Sequence, residues 1–110
     1  MNRVNFVRTK RFLKVYEIFY SADAEKFLSK LPLKHRAHVK DKVEECLTNR
    51  PKCYSKHCNI KEIAGSKPQK YRFHISMTYT LIYRVDDLEN RVIVGMAMGI
   101  NQAHSKYGIV

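Results

Sequence analysis

Acidic residues are scarce in this chain. Ten aspartates and glutamates stand against 21 lysines and arginines in 110 residues, a formal net charge of +11. That excess exceeds what solubility needs and favours polyanionic partners, nucleic acid first, through phosphate contacts and counterion release. An acidic protein segment would be drawn by the same field. No run approaches the roughly 18 to 20 apolar residues of a membrane span, and no N-terminal apolar stretch leads to a small-residue cleavage site. A cytoplasmic protein with no membrane association is the expectation. Only three cysteines occur, Cys46, Cys53 and Cys58. An odd count without the spacing of a disulfide framework predicts reduced thiols. Cys53, His57 and Cys58 lack the second ligand pair of a zinc site, so no metal is expected. Internal repeats and low-complexity segments are absent too, and the length suits one domain with one core.

Residues 1–14 contain Arg3, Arg8, Lys10, Arg11 and Lys14 with no acidic residue, and read as a basic arm ahead of a domain over 15–110. Val15 to Tyr20 is rich in β-branched and aromatic residues and predicts a strand. Ser21 then stands where a helix cap belongs. From Ala22 to Leu31, Ala24, Phe27, Leu28 and Leu31 recur at helical spacing, with Asp23 in the first turn and Lys30 in the last. Pro32 ends that helix. A second, about Leu33 to Thr48, directs Leu33, Ala37, Val39, Val43, Cys46 and Leu47 to the core, so the two form a helical hairpin. Lys34, His35, Arg36, His38, Lys40 and Lys42 crowd its early part, as a solvated face or as one that contacts phosphate.

Asn49 to Cys58 reads as a connection and Lys61 to Ala64 as a short bridge to a Gly-Ser-Lys-Pro turn. Strands follow at about Lys70 to Ser76, Tyr79 to Asp86 and Arg91 to Ile100, joined by turns at Met77–Thr78 and at Asp87–Asn90. The expected fold class is α+β: a small antiparallel sheet, made of the N-terminal strand and a three-strand C-terminal meander, packed against the helical hairpin. Alternation is clearest in the first meander strand. Tyr71, Phe73 and Ile75 fall on one side, and Arg72, His74 and Ser76 on the other. That places a guanidinium and an imidazole roughly 6 to 7 Å apart along one face, a pairing suited to a phosphate and the proton beside it.

Taken in order, Ile60-Lys61-Glu62-Ile63-Ala64-Gly65-Ser66, Tyr71-Arg72-Phe73-His74-Ile75, Tyr79-Thr80-Leu81-Ile82-Tyr83-Arg84-Val85 and a final strand running through Gly99 toward Tyr107 resemble the RelE/ParE toxin superfamily. The resemblance covers roughly Val15 to Tyr107. It implies the toxin of a type II toxin–antitoxin pair, held by an antitoxin whose acidic, partly disordered segment wraps the basic surface. RelE-like members cut mRNA in the ribosomal A site, with ribosome, rRNA and mRNA as partners; ParE-like members inhibit gyrase without being nucleases.

The RelE chemistry is attack of a ribose 2′-hydroxyl on the adjacent phosphate. It needs a base, positive charge on the phosphorane and an acid, but no metal or cofactor. Carried onto this chain, the catalytic positions fall on Arg72, His74 and Tyr107. Arg72 would neutralise the phosphate, His74 would exchange protons with a pKa near working pH, and Tyr107 would stack on a base or orient the 2′-hydroxyl. Lys61, Lys67, Lys70, Arg84, His104 and Lys106 are the accompanying RNA contacts. Two RelE-type arginines are replaced, by Thr80 and Asn101. His104, three residues before Tyr107, is placed to compensate. A gyrase inhibitor or a catalytically degenerate binding protein therefore stands as the alternative to an endoribonuclease.

Overall fold

The computed structural model describes residues 15–107, the last two by backbone alone. The basic arm over 1–14 and the side chains of Lys106 and Tyr107 lie outside the described residues. Elements follow as β1 (Glu17–Tyr20), α1 (Ala22–Ser29), α2 (Leu33–Leu47), β2 (Asn59–Ile63), β3 (Lys70–Ile75), β4 (Tyr79–Asp86), β5 (Arg91–Gly99) and α3 (Ile100–Tyr107). The architecture is α+β, and the strands form one sheet in the order β1-β5-β4-β3-β2. β2 through β5 pair antiparallel, whereas β1 runs parallel to β5, so the sheet is mixed.

Local chemistry sets the helix starts. Ser21 caps α1, its Oγ accepting from the Ala24 N–H and donating to the Gly95 carbonyl at 2.6 Å, which fastens the helix start to β5. Gly95 is the extra residue of a bulge, since Ile82 pairs with Met96 but Tyr83 pairs with Val94. α2 begins at Pro32 with no side-chain cap. Val39, Val43, Cys46 and Leu47 are its buried residues; the expected core positions Leu33 and Ala37 are exposed instead, because the first turns of α2 meet the β3–β4 hairpin through polar contacts, His35 with Tyr79 and His38 with Ser76.

The main core lies between the hairpin and one sheet face. Ala24 and Leu28 of α1 and the buried face of α2 pack on Tyr71, Phe73, Ile75, Leu81, Tyr83, Val92 and Val94. The alternation read in β3 is therefore correct in sense. A second cluster on the opposite face joins Ile82 and Met98 to Ala103 of α3, with Ile63 and Met96 partly buried beside it.

Four local expectations change. Lys61 to Ile63, most of the stretch read as a bridge over Lys61 to Ala64, belongs to an edge strand of the sheet over Asn59–Ile63. The tail after Gly99 is helical and covers part of the second face. The β3–β4 turn centres on Ser76 and Met77, both at positive φ, with the Thr78 N–H donating to the Ile75 carbonyl. Finally, Cys46 and Cys58 are joined as a disulfide, not reduced, and Cys53 alone is a free thiol. The last turn of α2 lies against the residue preceding β2, with the two Cα atoms 5.6 Å apart, a separation suited to the bond.

Candidate functional site

β3 places Arg72 and His74 on the face opposite the main core. Lys61 and Asn59 of β2 stand across from them on one side, and Ile82 and Thr80 of β4 on the other. The alternation predicted this face. It did not predict that both residues would be covered: Arg72 is 5 % exposed and His74 8 %.

Arg72 is held by Asn59. Its Nη1 donates to both the Asn59 carbonyl and Oδ1, each at 2.8 Å. Burial pushes the guanidinium pKa down from its usual value, but the group remains a cation at any working pH. Two bonds to Asn59 on the neighbouring strand give it a defined direction.

His74 is fixed by Thr80. Its Nδ1 lies 2.6 Å from Thr80 Oγ1, and Thr80 is fully buried. The other ring nitrogen, Nε2, is buried without a hydrogen-bond partner among the described residues, although a buried polar atom normally has one. Burial first, then the Arg72 charge, then His104 lower the imidazole pKa to about 4. The expected value near working pH is thus corrected: the site desolvates the charged ring next to a fixed cation. At neutral pH the ring is uncharged, with one nitrogen held by Thr80 and the other buried without a partner among the described residues.

α3 brings His104 to the same place. Its ring lies 5.6 Å from that of His74, edge to face, and it is exposed. Tyr107 is on the last turn of the same helix by its backbone. Lys61 is exposed beside Arg72 on β2, and Lys67, Lys70 and Arg84 are also exposed. Lys70 and Arg84 border a shallow groove with Ile82 and Met96, away from His74. Arg72, His74 and His104 therefore come together, and the other cations form a surround. Asn101 is exposed on α3.

Sequence reading missed two residues that set this geometry. Thr80 was singled out only as a lost arginine, yet it is what orients His74; its register opposite His74 follows once the turn is centred on Ser76 and Met77. Asn59 fell between the expected connection and the expected bridge, and no local signal marks it as the anchor for Arg72. Among the described residues one group offers three ligand atoms close together, Glu45 with Cys46 and Cys58, and its two sulfurs are spent on the disulfide. No described helix is long and apolar enough to cross a membrane.

The chain matches no family sequence model and no curated protein. Solved structures do match. A chain of the archaeal RelE–RelB complex from Pyrococcus horikoshii OT3 superposes with a TM-score of 0.64 at 17 % identity, over 77 % of this chain and 94 % of that one. A chain of the toxin–antitoxin complex RelBE2 from Mycobacterium tuberculosis gives 0.58 at 22 % identity, over 77 % and 91 %. The isolated E. coli RelE toxin gives 0.56 at 21 % identity, over 86 % and 99 %. The fold is that of the RelE toxin structures.

Proposed function

We propose that this chain is the toxin of a type II toxin–antitoxin pair and acts as a metal-independent endoribonuclease on mRNA in the ribosomal A site. One observation carries the reading: Arg72 and His74 are buried side by side, each oriented by a partner on an adjacent strand, and the His74 Nε2 has no partner among the described residues. The shared fold supports the toxin assignment, and the charge of +11 supports both an RNA substrate and an antitoxin with an acidic segment.

In the proposed reaction Arg72 neutralises the scissile phosphate. The neutral His74 accepts the 2′-hydroxyl proton at Nε2 as the 2′-oxygen bonds to phosphorus. The imidazolium so formed is held by the negative phosphorane, which offsets the burial that otherwise keeps the ring uncharged. The bond from phosphorus to the 5′-oxygen breaks, and His104 delivers a proton to that leaving oxygen. The products are a 2′,3′-cyclic phosphate and a 5′-hydroxyl. Tyr107 stacks on a neighbouring base.

Thr80 and Asn101, where RelE-type chains carry arginine, favour a second reading: a non-nuclease gyrase inhibitor or a binding protein. Expression without an antitoxin separates the two. The nuclease reading expects amino-acid incorporation to stop before plasmid supercoiling changes, with relief by Arg72→Ala or His74→Ala. Altered supercoiling first, or full toxicity in both variants, would remove it.

A further inference from the structure

The crowded histidines and lysines of α2 take no part in the chemistry above, yet they line a groove that leads to it. At the start of α2, Lys34, His35 and His38 face Ser76, Thr78 and Tyr79 across a cavity of about 350 Å³. His38 and Ser76 also border the next cavity, of about 290 Å³, which continues past Lys42, Lys56 and His57 to His74 itself. The two adjoin at His38 and Ser76, whose hydrogen bond stands between them, so together they follow the tip of the β3–β4 hairpin. No acidic side chain lines either part among the described residues.

The path is built as well as basic. His38 Nε2 lies 2.6 Å from Ser76 Oγ, and His35 Nδ1 lies 2.8 Å from the Tyr79 hydroxyl. Each contact uses one ring nitrogen and leaves the other. Lys42 Nζ donates to the His57 carbonyl at 3.0 Å, tying the inner wall to α2. The first turn of α2 contains no acidic residue, so its amide dipoles add positive potential at Lys34. At the inner end stands the buried Nε2 of His74, without a partner among the described residues.

We propose that this groove is a second RNA subsite, holding the phosphate and base of a nucleotide adjacent to the one whose phosphate meets Arg72 and His74. The proposal rests on the reading of Arg72 and His74 as the cleavage site, and it extends that site along the strand. Single-stranded RNA fits better than an acidic peptide because planar rings alternate with cations. His35, His38 and His57 are exposed and offer faces for bases, while Lys34 and Lys56 meet phosphates; Lys42 is paired with Glu45. An acidic peptide would use the cations alone.

NMR of the histidine rings in the full chain tests this, with 2′-O-methyl RNAs of two and six nucleotides that bind but cannot be cut. The dinucleotide is expected to shift only His74 and the adjoining His104, and the hexanucleotide to shift His35 and His38 as well. Lys34→Gln/His38→Gln changes two exposed residues, so the melting temperature should hold. It should weaken the hexanucleotide about tenfold, leave the dinucleotide unchanged, and lower the salt slope of hexanucleotide binding by about 0.7 to 1, the share of one phosphate.

Unchanged hexanucleotide affinity in that variant, or an equal loss for both RNAs, would overturn the subsite; with binding still lost in Arg72→Ala, the cleavage-site reading would survive. A polyglutamate peptide that shifts His38 as strongly as the hexanucleotide would overturn the assignment to RNA. Arg72→Ala binding both RNAs like the parent would overturn the cleavage site and the extension together.

Discussion

His74 should make the protein acid-sensitive in a defined window. Burial, the Arg72 charge and His104 hold its pKa at about 4 rather than the ordinary 6.5. Above 6.5 the ring is neutral in both folded and unfolded chains, and stability is unaffected. As pH falls through 6.5 the unfolded chain takes up a proton that the folded chain refuses, and stability declines until about 4, where the folded chain protonates as well. The full loss is about 3 kcal/mol at most, of which about 2 kcal/mol falls between pH 7 and pH 5. Urea unfolding of the parent and of His74→Gln at those two pH values isolates the effect. Glutamine still reaches Thr80 but does not titrate, and the carboxylates common to both proteins cancel. The parent should lose about 2 kcal/mol more than the variant. Equal losses would refute the reasoning, as would a ring titration by NMR centred near 6.5.

Three further outcomes follow from single contacts. Thr80→Val keeps the shape but strands the His74 Nδ1, so it should cost about 1 to 3 kcal/mol and cut toxicity; Thr80→Ser should restore both, and a valine variant as stable and as toxic as the parent would remove Thr80 from the account. Asn59→Ala takes away one of the two oxygens that Arg72 Nη1 bonds, and growth assays should show weaker arrest with an unchanged circular dichroism spectrum; undiminished arrest would mean that Arg72 needs no such anchor. The disulfide closes a short loop, with a sequence separation of 12, and opening it should lower stability by about 3 kcal/mol in the chain-entropy account. Thiol titration should find one reactive cysteine, Cys53, before reduction and two more after it; all three reacting at once in the folded protein would contradict the Cys46–Cys58 bond.

What the sequence revealed follows from how strongly each element is marked. β3, β4 and β5 alternate between faces, and α1 has both a cap and an apolar stripe, so their type and approximate limits were legible. β2 was not, because as an edge strand it sends only Ile60 firmly into the main core. α3 escaped notice for a similar reason: it is short and rests on the second face through Ala103. The parallel pairing of β1 with β5 is a long-range choice with no local signature. Arg72 and His74 were legible as a pair, whereas their environment was not. The low pKa of His74 arises from burial first, then from the Arg72 charge and His104, and these come together only once β4 and α3 are in place. The disulfide was missed because the odd cysteine count argues for free thiols, while the fold brings two of the three together and leaves Cys53 over.

Mapping of mRNA 5′ ends on translating ribosomes, after addition of the purified chain, tests the central claim most directly, with Arg72→Ala/His74→Ala as the control. New 5′-hydroxyl ends confined to the A-site codon, and absent with the control, are the expected result. Growth inhibition by the parent with no such ends, or ends that persist undiminished with the control, would contradict it.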